Sequence, residues 1–278
     1  MSKLAVFQQF ASLTAALAAF ALSVPAGAQG DVLVAPTRLV ISGAGNGQVV
    51  LSNIGSAAAT YRISLEIRRM TAAGEIVDIS EAETNEREKV ALGMVTYAPR
   101  RITLQPNQPQ SVRVNVRPPA DLADGEYRVH MSFRAIPQAA PVVPVAEGDK
   151  PAGLSIRLTP IYGITIPVIM RKGQIEGGAT LANPRLVTEG RTSTLKLDMT
   201  RTGLRSVYGE IRVNAPGVKD PVFLTRGIAI YPEVTARALN LPVSPQQAAL
   251  LKGPLRIEYR EPPELGGKVI ASADANFR

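Results

Sequence analysis

The sequence predicts an all-β protein built from two β-sandwich domains behind a cleaved export signal. Apolar and polar residues alternate with a period of two through most of the chain. Turn-forming residues separate the alternating runs at short intervals, the pattern of a sandwich rather than of helices. The 278 residues include no cysteine, so each domain must be held by buried apolar area and not by disulfides.

The chain opens with Met1-Ser2-Lys3, an almost uncharged stretch from Leu4 to Val24, and the small-x-small site Ala26-Gly27-Ala28. Residues 1–28 read as a signal peptide for export to the periplasm, cleaved after Ala28. A membrane anchor of about 20 residues is the competing reading. Gln8, Gln9 and Ser12 dilute the stretch and Pro25 closes it, which favours cleavage, and no later segment is apolar enough for an integral span.

Lys and Arg number 31 against 23 Asp and Glu, a formal charge of +8. Such a surface suits an acidic partner. Nucleic acid is disfavoured, because there is no tryptophan and the basic residues never run beyond pairs such as Arg68-Arg69, Arg100-Arg101 and Arg171-Lys172.

The first domain is expected over residues 29–172. Its clearest strands carry Tyr61, Ile63, Leu65 and Ile67; then Val112, Val114 and Val116; then Tyr127, Val129, Met131 and Phe133. Each has polar residues in the intervening positions, as in an antiparallel sheet with one wet face. Gly43 to Gly47 reads as a hairpin turn. Short helices are expected over Glu81–Ala91 and Pro245–Leu251, and the Pro-rich stretch 137–153 as a loop within the domain. The second domain, 173–278, repeats the pattern with Leu195, Leu197 and Met199; Val207, Ile211 and Val213; Leu255, Ile257 and Tyr259; and Val269, Ala271 and Ala273.

Catalytic apparatus is scarce, so no catalytic residue, metal site or cofactor is expected and the chain reads as a non-enzyme. His130, the sole histidine, falls on the polar phase of its strand and is expected at the surface. Ser193 and Lys196 match a serine–lysine spacing, but strand alternation sends them to opposite faces. The acidic stretch from Glu75 to Glu88 reads as a solvated loop or helix.

The feature that stands out is a run with apolar residues at nine successive even positions from Leu154 to Met170. A continuous strand of that length would extend about 56 Å, well beyond an ordinary strand. Two core strands joined at Pro160 are the alternative. The phase persists across Pro160, so the leading part, with Leu154, Ile156, Leu158, Tyr162 and Ile164, is expected to form an exposed edge that pairs with another chain, or with a second copy of this one.

The order of several short motifs completes the reading: Val34-Ala35-Pro36-Thr37-Arg38-Leu39-Val40, Val50-Leu51-Ser52-Asn53, Pro99-Arg100-Arg101-Ile102 with Leu104-Gln105-Pro106, Gln110-Ser111-Val112-Arg113, and Phe133-Arg134-Ala135-Ile136-Pro137. Over most of residues 31–172 this order resembles the PapD-like periplasmic chaperones of the chaperone–usher pathway. Leu122 to Tyr127 also looks like the turn into an immunoglobulin-type strand with its corner tyrosine. The resemblance implies two immunoglobulin-like domains set at an angle, whose long strand completes an unfinished pilus or surface-fibre subunit before delivery to an outer-membrane usher. It implies further that Arg38 binds the subunit's terminal carboxylate. The family's partnering lysine has no match here, and the nearest bases are Arg171 and Lys172. Alternative readings are a fibre subunit or adhesin, and a sandwich hydrolase.

Overall fold

A computed structural model describes residues 32–137 and 161–277. The export signal, all but the first residue of the loop expected over 137–153, and Leu154, Ile156, Leu158 and Pro160 lie outside the described residues. The chain is all-β, arranged as two immunoglobulin-like sandwiches with separate cores.

The first sandwich contains β1 (Val32–Ala35), β2 (Leu39–Ser42), β3 (Gly45–Asn53), β4 (Ala59–Glu66), a small hairpin of β5 (Arg68–Met70) and β6 (Ile76–Asp78), then β7 (Val95–Ala98), β8 (Arg101–Leu104), β9 (Pro109–Val116), β10 (Gly125–Ile136) and β11 (Gly163–Lys172). One sheet has the order β1-β3-β9-β7 and the other β2-β11-β10-β4-β8. Between them lie most of the alternating residues named above, with Tyr61, Val114, Met131 and Phe133 buried and Leu65 partly so. The Tyr127 hydroxyl donates to the Ala123 carbonyl at 2.9 Å, closing the corner that the sequence suggests.

A helix, Glu86–Met94, packs beside β10; Asn85 caps it by accepting the Glu88 amide at 3.0 Å. The expected helix over Glu81–Ala91 is therefore split, with a single 3-10 turn at Glu81–Glu83 before the cap.

The second sandwich pairs β12 (Gly177–Glu189), β13 (Thr192–Gly203) and β16 (Ala236–Val243) against a sheet of β14 (Val207–Asn214), β15 (Phe223–Ile230), β17 (Gly253–Arg260) and β18 (Val269–Phe277), ordered β15-β14-β17-β18. A second short helix, Pro245–Leu250, is capped by Ser244. Ile169, the off-phase isoleucine of β11, is buried in this second core together with Met70. One strand thus contributes to both cores.

Three expectations are corrected. Gly43 to Gly47 is not a hairpin turn, because β2 and β3 belong to opposite sheets and β2 instead pairs parallel with β11. The glycines allow close approach across the sandwich edge: a Cβ on Gly47 would lie 2.9 Å from Leu39 Cδ1.

His130 is not at the surface. It is only 4 % exposed, since β10 is central in its sheet and its outer phase, with Glu126 and Ser132, is covered as well. Burial, reinforced by the charges of Arg128 and Arg68, holds the imidazole down at about 3, so the ring is neutral.

Val269 does not share the inward phase of Ala271 and Ala273. A register shift at Tyr259/Arg260 turns Ile270 toward the core and leaves Val269 exposed.

Candidate functional site: the inter-domain cleft and the open edge of β11

Arg38 sits in the crossing between β1 and β2, where the chain passes from one sheet of the first sandwich to the other. From there its side chain reaches the second domain. Nη2 donates to Ser206 Oγ at 2.8 Å and Nη1 to the Tyr231 hydroxyl at 3.4 Å. Its guanidinium carbon lies 4.8 Å from the centre of the Tyr208 ring and 5.5 Å from that of Tyr231. Aromatic faces attract a cation by about 0.5 to 2 kcal/mol, the larger value applying when water is excluded. Burial lowers the Arg38 pKa, opposed by Tyr231 and Glu126, but a guanidinium stays charged at any ordinary pH. The direct partners of this half-buried cation are neutral hydroxyls and rings.

The two basic residues that end β11 part company. Arg171 faces the cleft, and its Nε donates to Glu126 Oε2 at 2.9 Å. The Glu126 carboxylate is buried, and the same oxygen accepts the Ser206 backbone amide at 3.2 Å. Lys172 turns away: its ammonium holds the carbonyls of Ala120 at 2.8 Å, Pro119 at 3.3 Å and Leu122. Arg38, Arg171 and Arg205 thus bring three guanidinium groups to this part of the junction, and among the described residues the buried Glu126 carboxylate pairs with Arg171 alone. The surplus is positive, and a carboxylate fits a guanidinium fork with two parallel hydrogen bonds.

The cleft encloses about 620 Å³. Val40, Leu265 and Val269 give it an apolar side, and Lys268 with Glu261 and Glu264 line it from the second domain. Behind it the junction is strutted: Arg128 pairs with Glu233, lies 3.7 Å from the centre of the Tyr231 ring, and Glu233 also accepts the Met70 amide at 2.8 Å.

Beside the cleft, β11 changes its surroundings. Val168 to Arg171 pair on one side with β10 and on the other with β2. Gly163 to Pro167 pair with β10 alone, and no described strand occupies their other edge. Met170, Val168 and Ile166 are buried in the first core; Ile164 packs partly against it; Tyr162 is 52 % and Ile161 57 % exposed. Because Leu39 lies opposite Val168 in the parallel pair, Arg38 precedes it at the level where the edge falls open.

Of the residues singled out from sequence, Arg38, Tyr162 and Ile164 are described, and Arg38 stands at the end of the open edge that Ile164 borders. Sequence reasoning missed Ser206, Tyr208, Tyr231 and Glu126. Only Glu126, an acid within an alternating strand, carried a local signal. Ser193 is buried and hydrogen-bonded with the Thr188 hydroxyl at 3.0 Å, while Lys196 lies on the opposite phase. Among the described residues, no helix is long and apolar enough to cross a membrane.

No protein-family model matches this sequence, and no curated protein matches it. Solved structures similar to it include a chain from the CsuC–CsuE chaperone–tip adhesion subunit pre-assembly complex of the archaic chaperone–usher Csu pili of Acinetobacter baumannii. The TM-score there is 0.45 at 10 % identity, covering 89 % of this chain and 99 % of that one. A chain of the Salmonella enterica SafA pilin in complex with the SafB chaperone gives 0.44 at 15 % identity, covering 88 % and 96 %. The E. coli chaperone DraB gives 0.44 at 13 % identity, covering 88 % and 98 %.

Proposed function

We propose that the protein is a periplasmic chaperone that holds an unfinished pilus or surface-fibre subunit by strand addition and passes it to an outer-membrane usher, without catalysis. The observation that carries this reading is the alignment of Arg38 with the end of the open edge of β11. A partner strand added there in the direction of β2, parallel to β11, would bring its C-terminal end to the Arg38 guanidinium. Backbone pairing along Gly163 to Pro167 supplies affinity, and Pro167, which has no N–H, limits pairing where the cleft begins. Tyr162 and Ile164, continued by Leu158, Ile156 and Leu154, supply the side chains for the partner's open core. Arg171 takes the place of the lysine that the resemblance leads one to expect, and shares its charge with Glu126.

Arg38→Ala tests the assignment. Charge-assisted hydrogen bonds contribute about 1.5 to 3 kcal/mol, so capture of subunits in pull-down from periplasm should fall by about 10- to 150-fold. Its melting temperature should move by only a few degrees, because the partners left behind, the Ser206 and Tyr231 hydroxyls, are neutral, and removing the side chain opens Ser206 to the cleft it lines. Arg38→Lys should rescue poorly, as an ammonium lacks the fork. Normal capture by Arg38→Ala, or its general unfolding, would overturn the reading. Intact mass of the exported protein checks cleavage after Ala28.

A further inference from the structure

One row across the outer face of the five-stranded sheet consists of arginines. Arg134 on β10 lies opposite Arg62 on β4, and Arg62 lies opposite Arg101 on β8. Their strand neighbours Phe133, Tyr61, Ile63 and Ile102 are buried in the first core, so alternation sends all three guanidinium groups outward, and all three residues are exposed. Strands lie about 4.8 Å apart, which gives the row a width of about 10 Å. Hydroxyls border it on both sides. Thr60 and Thr103 are hydrogen-bonded to each other at 2.9 Å on one side, and Ser64 lies opposite Ser132 on the other. The next residue along this face of β4, Glu66, is held by Arg68 at 3.1 Å.

Like charges placed directly opposite each other in a sheet repel. Other arginines of the molecule are matched by acids, among them Arg128 with Glu233, Arg171 with Glu126, and Arg212 and Arg226 with Glu210. Among the described residues, no ion pair reaches Arg62, Arg101 or Arg134. The row therefore offers three exposed guanidinium forks, none of them in an ion pair among the described residues; Glu66, Asp78 and Glu81 line a pocket with Arg134 at one end of it.

We propose that this row docks an acidic segment of a protein partner, whose carboxylates take the three forks. The site is distinct from the open edge of β11. β4 lies between β10 and β8, so its backbone is engaged in the sheet and recognition at Arg62 must run through its side chain. Planar forks suit carboxylates in two-point contact. An anionic membrane fits less well, because basic clusters that hold membranes carry about four to eight charges. The bordering rows here are hydroxyls apart from half-buried Ile136.

The test is fluorescence anisotropy of a labelled decapeptide of alternating Glu and Ser, titrated with the exported full chain. Wild-type protein should bind it, with affinity falling steeply as salt rises from about 50 to about 200 mM. Arg62→Gln should weaken binding by about tenfold, and Arg62→Gln with Arg101→Gln and Arg134→Gln should abolish it. Arg113→Gln, an exposed arginine of the other sheet, should bind as wild type. Arg62→Gln should also melt no lower than wild type, since it relieves two like-charge contacts. The proposal fails if the triple variant binds the peptide normally, or if Arg62→Gln lowers the melting temperature by more than about 5 °C. It fails equally if wild type ignores the peptide, including the case in which it binds phosphatidylglycerol vesicles through the same arginines.

Discussion

The two halves of β11 share one alternation and differ in what stands beside them. From Ile166 to Met170 the even-numbered side chains are buried, and from Val168 onward the backbone pairs on both sides. Ahead of it Ile161 and Tyr162 emerge into solvent, Ile164 packs only partly against the core, and from Gly163 to Pro167 one edge lies open. The same sequence grammar therefore makes a core strand at one end and an open edge at the other. What separates them is the reach of β2, which ends its pairing at Val168.

The largest expected break in this comparison comes from the residues that precede β11 in the sequence. Burying a Leu or Ile side chain contributes roughly 1.5 to 3 kcal/mol, so Ile156→Thr with Leu158→Thr should weaken subunit capture by about two to four orders of magnitude. The free protein should melt as before. Unfolding without a separate binding defect would place these residues in an ordinary core. Ile166→Ala should behave in the opposite way, lowering unfolding stability by about 2 to 5 kcal/mol in urea titrations because it leaves a cavity between the sheets. If it spares stability and impairs capture alone, the division of β11 at this point is wrong.

His130 sharpens the comparison, because it lies opposite Pro167 where the pairing of β11 changes. Its folded pKa, held down at about 3, is below the ordinary histidine value, so the unfolded chain binds the proton first as pH falls. The neutral ring's contribution is complete above about pH 6.5 and is lost progressively toward about pH 3, on the order of a few kcal/mol in all. Denaturation midpoints measured across this range should fall more steeply for wild type than for His130→Gln; parallel curves would show that the ring is not held neutral. The smallest effect belongs to Lys172→Ala. Its ammonium serves loop carbonyls, so capture should change less than about twofold while stability drops by about 1 kcal/mol. A capture loss matching that of Arg38→Ala would return Lys172 to the cleft.

Much of the first sandwich was legible from the alternation of Tyr61 and Ile63, of Val112 to Val116, and of Tyr127 to Phe133, because a half-buried strand writes its inner face directly into the order of residues. The corner tyrosine was legible from its turn. Gly43 to Gly47 misled because a turn's residues specify its tightness and not which sheets it joins. His130 and Val269 misled because alternation reports a face and not what covers that face, nor a bulge that shifts the phase.

Residue order by itself determined the all-β class, the two alternating halves and, through resemblance, the prominence of Arg38. Only the tertiary structure decided that Arg38 meets Ser206, Tyr208 and Tyr231, that Arg171 and not Lys172 faces the cleft, and that three arginines far apart in the chain form one row. Each of these depends on strands from distant segments coming into register. Alternation and turns help set the register of neighbouring strands, but which distant strands become neighbours is decided by the packing of whole sheets.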